Sequence, residues 1–167
     1  MTVELRDDDE PEPFSEPAPL DVDEAALMRE LEDEVVFATM HFDGGGQAPG
    51  PIGGGVVIEL ADGREHESSF YLLDGTHNVA EYTALAHGLD CVLRLGVTHV
   101  NIFGDSRLVV EQVNGRWRCR NSALDQLRRA VMSKLDSLES WSLNWTPRNS
   151  NRRADALATA AISEGRA

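Results

Sequence analysis

The sequence predicts an α/β fold: a mixed five-stranded sheet, three strands antiparallel and two parallel, flanked by helices in the order βββαβααβα. Three observations carry this. Strand-like runs separated by turn signals open the body of the chain. The apolar spacing then switches from strand alternation to helical periodicity at about residue 81. A further strand-like run follows that helix, and a strand reached through a helical crossover normally pairs in parallel.

Strand one covers about residues 34–42 and ends its apolar run at Phe42. Residues 43–55, rich in Gly and Pro, read as a turn. Strand two is Val56–Leu60, Ala61-Asp62-Gly63 is a hairpin signal, and strand three spans about 64–73. These three form an antiparallel meander. Tyr82, Leu85, Ala86, Leu89, Val92 and Leu93 mark one face of a long helix that Gly96 stops. Strand four is Thr98–Phe103, expected beside strand one. A short helix over Ser106–Val113 ends at Asn114-Gly115. Asn121 caps the next helix, whose face is Leu124, Leu127, Val131, Leu135 and Leu138. Strand five alternates Trp141, Leu143 and Trp145 with Ser142, Asn144 and Thr146, which places both tryptophans in the core. The last helix covers about 151–164.

The chain of 167 residues reads as one domain over 34–167 behind an acidic extension over 1–33. Residues 1–34 carry −12 of the net charge of −14, from 14 acidic and 2 basic residues. The body is therefore close to neutral, whereas a halophile's acidity is spread over its whole surface. Residues 1–20, dense in Pro, Asp and Glu, are expected to be disordered. Residues 21–33 suit a short helix with Ala25, Leu27, Met28 and Leu31 as a weak apolar face. The extension is expected either to solubilise the chain or to compete with nucleic acid for a cationic groove. No signal peptide and no membrane-spanning run is expected. Cys91 and Cys119 lack metal-ligand spacing, and the five histidines show none among themselves. These features point to a reduced, cytoplasmic protein, expected as a monomer.

Four carboxylates stand out by their surroundings. Asp43 ends strand one before Gly44-Gly45-Gly46, and Asp105 ends strand four in Gly104-Asp105-Ser106. Glu81, in Asn78-Val79-Ala80-Glu81, opens the long helix, and Asp155 opens the last one. Each alone has an ordinary reading as a turn or helix-end residue. Together they fall at strand ends and helix starts that share one crevice, where open α/β sheets gather ligands. Unpaired like charges at close range need a cation. Hard divalent ions favour oxygen ligands, and four carboxylates suit a two-metal phosphodiester site. An acidic Ca2+-binding protein is disfavoured, because no loop presents ligands at alternate positions around the required Gly.

Phe42-Asp43-Gly44-Gly45, Asn78-Val79-Ala80-Glu81, Gly104-Asp105-Ser106 and Asn151-Arg152-Arg153-Ala154-Asp155-Ala156-Leu157-Ala158 together resemble the four motifs of type 1 ribonuclease H, over about residues 35–163. The resemblance implies the ribonuclease H-like fold and hydrolysis of the RNA strand of RNA/DNA hybrids, leaving 5′-phosphate and 3′-hydroxyl ends. It implies two Mg2+ ions, with Mn2+ as a substitute, held by Asp43, Glu81, Asp105 and Asp155 as catalytic and metal residues. Asp43 would bridge both ions, with Glu81 and Asp105 completing one site and Asp155 the other.

Nucleic-acid contacts are expected at Gly44, Gly45, Asn78 and Ser106, and at Asn151 of the last motif. Asn78 and Ser106 also suit helix caps, and the glycines suit a plain turn. Trp117, Arg118 and Arg120, with Arg116, place one aromatic among cations, fit for the DNA strand's phosphates. The other reading of that loop is a basic surface anchored by a core Trp117. The family's loop histidine is absent from Trp145–Asn151, and Arg148 is its candidate substitute. The basic helical protrusion of some relatives is also missing between Asn114 and Asn121. The alternative function is a non-catalytic nucleic-acid-binding module of the same fold.

Overall fold

The structure, a computed structural model, describes residues 34–46 and 49–165 with residues 18, 23, 26 and 27. The chain divides into two units, Met1–Glu34 and Val35–Ala167. The expectations of disorder over 1–20 and of a short helix over 21–33 fall almost wholly outside the described residues. Among the described residues no helix is long and apolar enough to cross a membrane.

The body runs β1 (Phe37–Gly46), β2 (Gly50–Leu60), β3 (Glu65–Gly75), α1 (His77–Arg94), β4 (His99–Gly104), α2 (Arg107–Val113), α3 (Ser122–Leu135), β5 (Ser140–Trp145), a 3-10 turn (Arg148–Ser150) and α4 (Arg152–Gly165). This is the βββαβααβα order expected. The sheet order is β3-β2-β1-β4-β5. Strands β1, β2 and β3 form the antiparallel meander, and β4 lies parallel to both β1 and β5. The parallel pairing ends at Phe42 and Gly104, so Asp43 and Asp105 follow side by side while β1 runs on to Gly46.

Alternation along β1 sends Ala38, Met40 and Phe42 into the core, and Val56 and Ile58 of β2 join them. Tyr82, Leu85, Leu89 and Val92, spaced three or four residues apart on α1, complete it. Burying each such large side chain stabilises the fold by roughly 1.5–3 kcal/mol. The helices start where local chemistry permits. Asn121 Oδ1 accepts from Leu124 N at 3.1 Å, the cap expected for α3. For α1 the cap is Thr76, whose hydroxyl accepts from Val79 N at 3.2 Å. Asn78 is therefore not the cap but an exposed residue inside the helix.

The Gly/Pro stretch departs from expectation. Residues 43–46 and 50–55 are strand, not turn: Asp43 pairs with Gly55, Gly44 with Gly54, and Gly46 with Ile52. Glycine weakens strands in general, but it also marks places where another backbone comes close. A Cβ on Gly44 would lie 2.3 Å from the carbonyl carbon of Ala80 on α1. A Cβ on Gly55 would lie 2.5 Å from the carbonyl oxygen of Ala154 on α4. Both helices press on this strip of sheet, which brings the starts of α1 and α4 to the end of β1.

Candidate active site

Four elements place the four carboxylates. Asp43 lies in β1, and Asp105 follows the last residue of its parallel neighbour β4. Glu81 lies one turn into α1, not in its first turn, so the helix dipole gives no account of it. Asp155 lies in the first turn of α4. Ligand oxygens of Asp43, Glu81 and Asp105 all fall within 4.8 Å of one another. All four acids line an open cleft of about 650 Å3.

The protein fixes these groups through short contacts. Gly44 N donates to Glu81 Oε2 at 3.1 Å, so the strand that needs glycine for packing also holds a carboxylate. The side-chain amide of Asn151 donates to Phe42 O at 2.8 Å and to Asp105 Oδ2 at 3.4 Å. Trp145 Nε1 donates to the backbone oxygen of Asp105 at 3.2 Å. The one cation near an acid of the cleft among the ion pairs of the described residues is exposed Arg148, 3.7 Å from Asp155.

That leaves the inner acids uncompensated. Burial above all, then the charges of Glu81 and Asp105 and the proximity of Asp155, pushes Asp43 up to about 10. Burial and the Asp105 charge raise Glu81 to about 8, against the opposing hydrogen bond from Gly44. Carboxylates of this kind ionise together only with positive charge among them. The donor set is all oxygen, and its deepest member, Asp43, is only 5% exposed. It fits a hard divalent ion, which prefers carboxylates to any other side chain.

The sequence model of the reverse transcriptase-like family matches residues 42–161. The ribonuclease HI of Halobacterium salinarum is 34% identical over 126 residues, covering 74% of this chain and 63% of that protein. Its crystal structure superposes with a TM-score of 0.74 at 33% identity, covering 77% of this chain and 98% of the other. The chain belongs to the type 1 ribonuclease H family.

Other members of the ribonuclease H family are as similar. The N-terminal RNase H domain of a Mycobacterium tuberculosis protein, solved as a fusion with maltose-binding protein, gives a TM-score of 0.74 at 36% identity over 77% of this chain and 95% of that one. LC11-RNase H1 in complex with an RNA/DNA hybrid gives 0.73 at 31% identity, over 78% and 99%. A bifunctional protein of M. tuberculosis is 38% identical over 123 residues, 72% of this chain. This chain spans only 34% of that relative's length.

Among the expected nucleic-acid residues, Gly44, Gly45 and Arg148 line the cleft. The absent side chain of Gly44 makes room for α1, whereas Gly45 has only Ile162 Cδ1 at 4.0 Å and is open. Ser106 is partly buried and caps α2, its hydroxyl accepting from Val109 N at 3.3 Å. Trp117, at 48% exposure, is not a core anchor; it stands with exposed Arg118 and Arg120 on a loop that does not line the cleft. Gln112 secures that loop, accepting from Tyr82 Oη at 2.7 Å and donating to Arg118 O at 3.2 Å. Asn151 departs from expectation: at 1% exposure it cannot meet a nucleic acid. Trp145 departs the other way. It is 43% exposed on the cleft wall with the Arg107 guanidinium 4.5 Å over its ring, because β5 ends there at the sheet's margin.

Proposed function

We propose that this chain hydrolyses the RNA strand of RNA/DNA hybrids, leaving 5′-phosphate and 3′-hydroxyl ends. The observation that carries the proposal is the convergence of Asp43, Glu81 and Asp105, with Asp155 beside them, in an open cleft whose inner acids have no basic partner among the described ion pairs. The hybrid-bound relative supports the substrate, and membership of the family supports the reaction.

The carboxylates fit Mg2+, with two ions as the arrangement that four acids suit. Asp43, the most buried, would serve both ions; Glu81 and Asp105 would complete one site and Asp155 the other. The chemistry such ions supply when bound is activation of the attacking water and stabilisation of the departing 3′-oxygen. The chain's own groups do the rest. Asp105, on the cleft wall, is held at its backbone by Trp145 and at its carboxylate by Asn151, which limits the orientations its oxygens take. Arg148, 80% exposed at the rim, is placed to meet a phosphate oxygen and to trade its weak contact with Asp155 for it. Gly45 leaves the backbone open to the RNA 2′-hydroxyl, the group that separates RNA from DNA. Exposed Trp117, Arg118 and Arg120 form a separate surface for the DNA strand's phosphates.

The test is cleavage of a labelled RNA/DNA hybrid in Mg2+, beside single-stranded RNA, duplex RNA and duplex DNA. Cutting of the hybrid alone, lost in Asp105→Asn and in EDTA, is expected. Hybrid binding without cutting, in Mg2+ or Mn2+, would leave the non-catalytic module as the function.

A further inference from the structure

Asn151 lies between the 3-10 turn and α4, and its bonds reach three of the four carboxylate positions. Its Nδ2 donates to Phe42 O, immediately before Asp43, and to Asp105 Oδ2. Its backbone oxygen accepts from Asp155 N at 3.1 Å, the first link of the helix that carries that acid. Its own N–H donates to Arg148 O at 3.0 Å and closes the turn below the rim. Turning the amide over would set an oxygen against a carbonyl and a carboxylate, so the partners fix its orientation. Its Oδ1 is buried and accepts from none of the described residues. Its amide nitrogen serves the two acceptors that adjoin the acids.

We propose that Asn151 is a positioning residue for the cation site: from behind the cleft it sets Asp105, the end of β1 and the start of α4 relative to one another, and it touches no nucleic acid. One amide holds strand β1, the acid after β4 and the entry to α4 across 109 residues of sequence. It restrains one oxygen of Asp105 and so limits the rotation of that carboxylate. The inference rests on the reading of the cleft as a divalent-ion nuclease site.

The experiment titrates Mn2+ alone into the full chain by calorimetry, without nucleic acid, and separately measures kcat and KM on the hybrid at saturating Mg2+. For Asn151→Ala, ion affinity falls about 10–100-fold, as when a group supporting a metal ligand is lost, and kcat falls while KM stays within about twofold. Asn151→Ser, too short to reach both Phe42 and Asp105, shows the same direction and keeps the question answerable should the alanine variant not fold. Unchanged ion affinity in a folded variant overturns the inference, whether KM rises, as for a substrate contact, or only the melting temperature drops, as for a fold support. A wild-type chain that takes up no Mn2+ would instead overturn the cation-site reading on which the inference rests.

Discussion

Two clusters of acids flank the start of α4, and the chain treats them in opposite ways. Arg153 faces outward to Glu59, Glu65 and Glu67, with its guanidinium 2.9 Å from Glu65 and 2.8 Å from Glu67. Asp155, two positions on, faces the cleft of Asp43, Glu81 and Asp105, whose inner members have no basic partner among the described ion pairs. The first cluster is about half exposed and partly compensated by a cation of the chain; the second is drawn inward, and its inner acids have no such partner among the described ion pairs. Density of carboxylates alone therefore does not mark a site. What marks it is burial together with a missing cation, a combination that carries energy unless something outside the chain supplies the charge.

The largest test of this contrast is Asp43→Asn against Glu65→Gln. On the proposed two-ion reading, loss of the Asp43 carboxylate removes several kcal/mol of transition-state stabilisation, so hybrid cleavage by Asp43→Asn drops on the order of 10³-fold. Glu65→Gln cleaves like the wild type, and equal losses in the two would break the contrast. Next is Gly44→Ala. The added Cβ meets the Ala80 backbone and displaces the N–H that holds Glu81. Urea unfolding shows a loss on the order of 1–3 kcal/mol, and cleavage falls with it. Undiminished stability would contradict the close approach of α1.

The pH dependence without divalent ions sharpens the contrast. The folded chain holds Asp43 at about 10 and Glu81 at about 8, against ordinary values of 3.8 and 4.5. Raised carboxyl groups bind protons in the folded chain that the unfolded chain has released. Their contribution to stability is complete below the ordinary carboxylate range and is lost progressively from there as pH rises to the folded values of about 8 and about 10. Melting temperature in EDTA therefore declines across that window, and Asp43→Asn flattens the decline. The smallest effect is that of Arg153→Ala. Its three partners are exposed, so thermal or urea unfolding shows at most about 1 kcal/mol lost, with cleavage unchanged.

The element order was legible because turn signals bound the strand-like runs and each helix face recurs at helical spacing; Tyr82, Leu85 and Leu89 are buried as that spacing requires. Asp43 and Asp105 were legible because each follows the last pair, Phe42 with Gly104, of two strands that a crossover makes parallel. The strand character of residues 43–46 and 50–55 was not, since glycine has low strand propensity and the reason for it lies in helices distant in sequence. The cap of α1 was misplaced at Asn78: Thr76, two residues earlier and also a good capping residue, takes that position. Trp145 and Asn151 exchanged places against expectation. A tryptophan on an alternating strand reads as core, and an asparagine in a polar loop reads as surface. Strand β5 is the sheet's edge, however, and the loop folds back under β1.

The most direct measurement is thermal unfolding at pH 8.5 as Mg2+ is added to the full chain, with the wild type beside an Asp43→Asn/Asp105→Asn double variant. The account predicts a saturable rise in melting temperature for the wild type and none for the double variant, which starts the more stable of the two in EDTA. An equal rise in both would mean that the ions act elsewhere on this acidic chain, and that the cleft is not a cation site.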